Sequence, residues 1–258
     1  MTAPNQSAAD PPALSVRGAT KRFGAVVALD GVDVEARRGE VLALLGDNGA
    51  GKSTLIKCIT GVHRMDAGTV TMDGVPVDVG SPAVARALGI ETVYQDLALF
   101  DNLDPAANFY AGREMTTPRW LPRGLRLVRR RAMVEATVVV LRRLEVGLAD
   151  VNTPVGLMSG GQRQAVAVAR AAAFATKVVI LDEPTAALGV RESRHVLDLI
   201  LRLRAEGLAI IVVSHAMDHV MEIADRAVVM RRGRTVGELV PRPENKEQIV
   251  SLIVGGNG

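Results

Sequence analysis

Apolar and polar positions along this 258-residue chain follow different periods in different stretches. From Leu14 to about Glu35, short apolar runs (Leu14-Ser15-Val16, Ala25-Val26-Val27-Ala28-Leu29, Val32-Asp33-Val34) are separated by turn residues, which predicts a small antiparallel sheet. Val41-Leu42-Ala43-Leu44-Leu45 is apolar without a break, as in a strand buried on both faces. A helix is predicted from Thr54 to Thr60, closed by Gly61, then a hairpin from Thr69 to Val77 around Asp73-Gly74. Ile90-Glu91-Thr92-Val93-Tyr94 reads as a core strand ending at Gln95. From about Leu103 to Ala175 helical spacing replaces alternation, which predicts a mostly helical lobe inserted in an α/β core. Strand 177–182, helix 190–206, strand 208–213, helix 216–224 and strand 226–230 follow, and their alternation predicts a parallel sheet. Val196, Leu199, Ile200 and Leu203 fall at i, i+3, i+4 and i+7, placing one face of that helix on the sheet. A hairpin at about 228–240 and a helix from Glu244 to Val254 complete the pattern.

Length and a mass of 27.3 kDa suit one large domain with a smaller lobe. Residues 1–12, rich in Ala, Pro, Ser, Asn and Gln, are expected to form a disordered leader, leaving 13–258 as a single domain. The first residues have neither a basic n-region nor an apolar h-region, so the chain is expected to stay in the cytosol. No segment approaches the ~18 consecutive apolar residues of a membrane span. With 31 Lys and Arg against 28 Asp and Glu, the net charge of +3 is too small for a dedicated nucleic-acid surface. Arg129-Arg130-Arg131 is a lone basic run, expected to be solvated on a helix. The single cysteine, Cys58, excludes an internal disulfide and is expected to be a small buried side chain.

The chemistry begins where the continuous apolar strand ends. Gly46-Asp47-Asn48-Gly49-Ala50-Gly51-Lys52-Ser53 has the form G-x-x-x-x-G-K-[ST], whose glycines let backbone N–H groups curl around phosphate oxygens. Lys52 is placed to reach the β/γ-phosphates, and Ser53 or Thr54 to face a Mg²⁺ ion. Asp182 ends an apolar strand, where ligands of open α/β sheets collect, and is the candidate Mg²⁺ ligand. Glu183, the next residue, is the candidate base for the water that attacks the γ-phosphate. Ser214-His215 follows another apolar strand, so His215 is a candidate γ-phosphate contact. Gln95 offers a carboxamide for Mg²⁺-bound water and a switch when its loop moves. Phe23, beside Lys21 and Arg22, offers a face for adenine, or else packs in the small lobe's core. Ser159-Gly160-Gly161-Gln162 is a second glycine turn opening a helix, hence a second anion-binding helix N-terminus. His63, His195 and His219 have no metal-ligand spacing and are expected on solvated faces or packing edges.

In this order, Gly46 to Ser53, Gln95, Ser159 to Gln162, Asp182-Glu183 and Ser214-His215 resemble the nucleotide-binding subunits of ATP-binding cassette (ABC) transporters, over essentially residues 14–254. The resemblance implies a RecA-like P-loop NTPase core with a small antiparallel β lobe and an inserted helical lobe. It implies ATP and Mg²⁺ as cofactors and a head-to-tail pair, each ATP lying between the Lys52 loop of one copy and the Ser159-Gly160-Gly161 turn of the other. Gln95-Asp96-Leu97-Ala98-Leu99-Phe100-Asp101-Asn102-Leu103, with Asn108 and Gly112-Arg113-Glu114, looks like the importers of ribose, xylose and fructose-type monosaccharides. In that group the ATPase is often a fused tandem; one cassette here makes a homodimer the simplest assembly, with pairing to a second ABC ATPase as the other arrangement. Two transmembrane permease subunits docking near the Gln95 loop, a sugar-binding protein and a location on the cytoplasmic face of the membrane are likewise implied. Met158 stands where leucine is more usual, and Gly189 where many cassettes carry an aspartate that communicates across the dimer. The alternatives are an exporter ATPase and a non-transport cassette acting on nucleic acid or in regulation; the chain has no basic arm for the first of these targets and retains Lys52 and Glu183.

Overall fold

The computed structural model describes residues 10–117, 120, 122 and 127–255; most of the predicted leader, 1–9, lies outside them. Its centre is a six-stranded sheet in the order β12-β11-β3-β10-β9-β6, formed by β3 (Val41–Leu45), β6 (Ile90–Val93), β9 (Val178–Asp182), β10 (Ala209–Val213), β11 (Arg226–Arg231) and β12 (Arg234–Leu239). All neighbours are parallel except β11 and β12, which close as a hairpin through Arg232-Gly233. Every residue of β3 and β10 is buried, which is why both read as unbroken apolar runs. A second, antiparallel sheet has the order β2-β1-β4-β5, from β1 (Leu14–Phe23), β2 (Val26–Ala36), β4 (Ala67–Met72) and β5 (Val75–Val77). Register shifts along β1 and β2 break their alternation, so the sequence shows several short runs where the structure has two long strands.

Helix α1 (Lys52–Ile59) lies between the two sheets. Its Leu55, Ile56, Cys58 and Ile59 share one apolar cluster with Leu14, Val16, Leu29 and Val32 on one side and Leu42, Leu44, Ile180 and Ile211 on the other. The Cys58 thiol is buried, as expected, and burial raises its pKa. The other face of the parallel sheet is covered by α5 (Gly160–Phe174) and α6 (Val190–Ala205), whose Val166, Ala169, Val196 and Ile200 pack with Val93, Val179 and Leu181. A third cluster joins Ala43 and Val229 to Val220 of α7 (Met217–Ile223) and Ile249 of α8 (Lys246–Val254). Arg226 fixes the sheet's far edge, with its guanidinium on Glu40 at 2.7 Å and on Glu238 at 2.8 Å.

One short helix and one pair of two-residue strands differ from the sequence expectation. The helix α2 (Pro82–Ala87) has too few turns to establish a period, but Ser81 caps it and Pro82 opens it, a signal legible in retrospect. Between β6 and β9 stand α3 (Pro105–Tyr110), α4 (Arg130–Arg143) and α5, together with a two-residue antiparallel pair, β7 (Thr116–Thr117) with β8 (Leu127–Val128). Two residues cannot display alternation, so helical spacing alone left this pair unseen. Of the basic run, Arg130 pairs with Asp104 at 2.6 Å, and all three arginines are exposed at the start of α4.

Candidate functional site

Because β3, β6, β9 and β10 run parallel, their carboxyl ends share one edge of the sheet, the position where open α/β sheets bind ligands. At that edge stand the Gly46 loop after β3, His215 after β10, Asp182 and Glu183 at the end of β9, and Gln95 after β6. Segments as far apart in sequence as Gly46 and His215 thus meet through strand order alone, with Val213 opposite both Leu44 and Asp182.

The phosphate cradle follows from glycine geometry. Gly46, Gly49 and Gly51 hold φ of 149°, 79° and 104°. A Cβ on Gly46 would lie 2.3 Å from the Met230 carbonyl oxygen, and one on Gly51 2.7 Å from that of Ala28. The loop is further tied by Gly233 N–H donating to the Ala50 carbonyl at 3.0 Å. Lys52 Nζ donates to the carbonyls of Gly46 at 2.6 Å and Asp47 at 3.0 Å, and so leans over the loop. The first turn of α1 has neither a side-chain cap nor an acidic residue, which leaves its N–H groups free for an anion. Ser53 is exposed and Thr54 half-buried at this mouth. These groups fit the phosphates of a nucleotide.

Charge is strained at the same edge. Burial pushes the Lys52 pKa down, against the pull of Glu183, Asp182 and Asp47. Burial pushes the Asp182 carboxyl up, as does neighbouring Glu183, while Lys52 and Lys57 oppose the shift. Glu183 adopts left-handed backbone with φ 52°, fixed by its N–H donating to Val213 O at 2.9 Å. Its Oε1 lies 2.8 Å from Nδ1 of His215; the carboxylate side chain is 17% exposed and the imidazole 78%. Of the seven non-glycine residues with positive φ among the described residues, Leu97, Ala98, Glu183 and Ala187 all lie in loops near this edge. Gln95 itself is exposed.

Phe23 is not a core aromatic. It is 44% exposed, meets the ring of His63 edge-on at 5.2 Å and has Lys21 Nζ 5.5 Å from its centroid. It pairs with Val26 on β2, the strand whose Ala28 carbonyl abuts Gly51. His219 also has a specific partner: its Nδ1 lies 2.9 Å from Thr185 Oγ1, linking α7 to the loop that follows Glu183. No sequence signal marked that bond, which depends on how α7 packs.

Ser159-Gly160-Gly161-Gln162 lies apart from these groups. Ser159 Oγ accepts from Gln162 N–H at 3.2 Å while Gln162 Oε1 accepts from Ser159 N–H at 3.0 Å, a reciprocal capping box on α5. The Gln162 carboxamide is therefore turned back on its own helix. The neighbours of Gly160 and Gly161 are Leu188 and Glu192, whereas those of Gly46 and Gly51 are Met230, Ala28, Leu29 and Gly233. Glu192 also occupies the space beside Gly189, where a Cβ would sit 2.6 Å from its Oε2. Asn108, one of the residues that carry the resemblance to monosaccharide importers, is buried and spans the loop after Gln95: its Oδ1 accepts from Phe100 N–H at 2.7 Å and its Nδ2 donates to carbonyls of Phe100, Leu103 and Asp104.

Among the described residues, no helix is long and apolar enough to cross a membrane. No cluster of three or more His, Cys, Asp or Glu among them could hold a metal by itself.

The comparisons converge on one family. The ABC transporter family profile matches residues 29–186. The fructose import ATP-binding protein of Rhizobium meliloti is 47% identical over 248 residues, 96% of this chain and 95% of that protein. The xylose/arabinose import ATP-binding protein of Sulfolobus acidocaldarius is 45% identical over 240 residues, 93% of each. The ribose import ATP-binding protein of Rubrobacter xylanophilus is 44% identical over 95% of this chain, which spans only 47% of that longer protein. A solved structure described as a nucleotide-free ATP-binding cassette from an ABC transporter superposes with a TM-score of 0.79 at 26% identity, covering 94% of this chain and 97% of that one. A phosphate cradle at the carboxyl edge of a RecA-like sheet and full-length likeness to import ATPases agree, and the chain belongs to the ABC transporter family as an ATP-binding cassette.

Proposed function

We propose that this protein is the ATP-hydrolysing subunit that powers a membrane importer of a monosaccharide, through ATP-driven head-to-tail pairing of two cassettes. The observation that carries the reading is the split of its motifs: one set shares the sheet edge, while the Ser159 turn has different neighbours. Two half-sites on one chain are completed when a second copy, or a second ABC ATPase, turns its Ser159 face toward the Lys52 loop. The sugar class is supported by relatives named for fructose, xylose/arabinose and ribose import.

In this reading Gly46, Asp47, Asn48, Gly49, Ala50, Gly51, Lys52, Ser53 and Thr54 hold the phosphates of ATP, and Phe23 stacks on its adenine. Ser53, Gln95 and Asp182 would hold Mg²⁺, an oxygen-ligand set that suits an ion taking few protein carboxylates. The ion, when bound, neutralises charge on the β- and γ-phosphate oxygens. Lys52, half-buried beside the loop, places its cation over the cradle. Glu183 takes the proton from the attacking water, and His215 orients the Glu183 carboxylate and meets the γ-phosphate. Ser159, Gly160, Gly161 and Gln162 close the site from the partner. Two permease subunits and, through them, a sugar-binding protein complete the assembly, placing the cassette on the cytoplasmic face of the membrane.

Co-purification from membranes with its permease tests the assignment, followed by ATP-dependent uptake of labelled fructose, xylose and ribose in vesicles containing the complex. Uptake of one of these sugars that requires ATP is the expected result. Stable association with a non-membrane partner, or ATP-driven efflux, would overturn it.

A further inference from the structure

Arg170 stands on α5, the helix opened by Ser159, and its guanidinium reaches the loop after Gln95. Nη1 donates to the Ala98 carbonyl at 2.7 Å and Nη2 to the Leu97 carbonyl at 2.9 Å. Leu97 and Ala98 hold left-handed backbone, with φ of 59° and 45°, although both carry side chains. Such a conformation persists only where the surroundings over-determine it. Here two consecutive carbonyls are fixed by one planar, forked cation, a geometry that lysine cannot reproduce. Arg170 is half-buried, and burial pulls its pKa down, with the charge of Glu91 opposing that shift and Arg113 adding to it; Glu91 pairs with Arg113 at 2.9 Å, and Arg113 stacks over Phe174 at the end of α5.

The same loop is tied to α5 a second time. Gly156 N–H donates to the Asp101 carbonyl at 2.8 Å and Val155 N–H to that of Leu103 at 2.9 Å. Val155 and Gly156 belong to the 3-10 turn Val155–Leu157 that leads into Ser159. A Cβ on Gly156 would meet Asp101 Cβ and O at 3.0 Å, so the approach is close. The segment 97–103 is thus fastened at its start to the body of α5 and at its end to the entrance of α5.

We infer that Arg170 is a positioning residue that couples Gln95 to the Ser159 turn, so that a shift of Gln95 at a chain's own phosphate site is passed along α5 to the face that meets the partner's ATP. This rests on the roles proposed above for Gln95 and Ser159. Arg170 touches neither nucleotide nor metal in this scheme. It acts by holding the backbone of the Gln95 loop and α5 as one body.

The test combines hydrogen exchange with a double-mutant cycle on the whole protein. In Arg170→Met, amide exchange at 96–103 and 155–161 is expected to rise ~10-fold or more while the strands of the parallel sheet keep their protection. Hydrolysis is expected to lose kcat by ~10-fold with little change in nucleotide affinity, and Arg170→Lys to recover part of it. In a Gln95→Ala background the same Arg170→Met change is expected to cost under ~2-fold, since residues acting as a unit are not additive. Multiplicative losses, or unchanged exchange at 96–103, would overturn the inference. Absence of hydrolysis in the unaltered protein would instead overturn the proposed function, and the exchange measurement would still decide whether Arg170 clamps the loop.

Discussion

Nδ1 of His215 and Oε1 of Glu183 face each other at 2.8 Å, although the two residues end different strands and approach from opposite exposures. The contact exists because β9 and β10 are adjacent and parallel, with Val213 opposite Asp182. Histidine thereby restrains the carboxylate proposed above as the base for hydrolysis. Glu183→Gln keeps the shape and loses the proposed base. It is expected to bind ATP normally, to accumulate as an ATP-bound dimer, and to turn over ~10²-fold or more slowly. Single-turnover hydrolysis and gel filtration check this; undiminished turnover would remove the role assigned to Glu183.

Ser159→Arg introduces a long cation at the turn that is proposed to face the partner's ATP. Pairing on ATP is expected to disappear, while nucleotide affinity of the separate chain stays within about 2-fold, because the atoms nearest Gly160 and Gly161 belong to Leu188 and Glu192 and not to the Gly46 loop. Light scattering and fluorescent-nucleotide titration read the two quantities separately. Loss of affinity in the unpaired chain would contradict the trans arrangement.

Glycine positions in the cradle should respond unequally to the same methyl group. Gly49→Ala meets nothing within 4 Å and suffers only from its φ of 79°, a cost on the order of 1–2 kcal/mol. Gly46→Ala adds a collision with the Met230 carbonyl at 2.3 Å, so it is expected to be the more destabilising and to lose nucleotide binding. Thermal unfolding alongside nucleotide titration of both variants tests the ranking.

Asp182 should show its strain in the pH dependence of stability. Its folded pKa is raised by burial and by Glu183, so its ionised form is less favourable folded than unfolded. That cost is absent below the unfolded pKa and fully present above the folded one. Asp182→Asn is therefore expected to match the parent near pH 4 and to have the higher Tm at pH 7 without added nucleotide. An equal or lower Tm at pH 7 would contradict it.

Much of this architecture was legible in the chain because burial on two faces leaves an unmistakable mark. Val41 to Leu45 and Leu208 to Val213 are apolar throughout, and each delivers a chemical group to the same edge. The glycine loop was legible for a related reason, since only glycine holds the φ values found at 46, 49 and 51. What escaped was either too short or too distant. Helix α2 and the β7–β8 pair carry no full period. The bonds from Arg170 to the Gln95 loop join residues 72 and 73 positions apart and depend on tertiary packing that no local pattern encodes. Gln162 illustrates a third case: its side chain completes a capping box, a local rule that the sequence displayed but that a motif-level reading absorbed into ligand binding.

Helix α5 has Ser159 at its head and Arg170 eleven residues along, with an apolar flank of Val166, Ala169 and Ala172 seated on the core. A helix of that length is stiff along its axis, and at ~1.5 Å per residue the two positions stand roughly 16 Å apart. A rotation of about 10° pivoting at the guanidinium would carry the serine by ~3 Å, about the length of one hydrogen bond. On the roles proposed above, the rod would serve as a lever arm: a displacement of a few tenths of an ångström beside the pivot would become, at its tip, the difference between a closed seam and an open one.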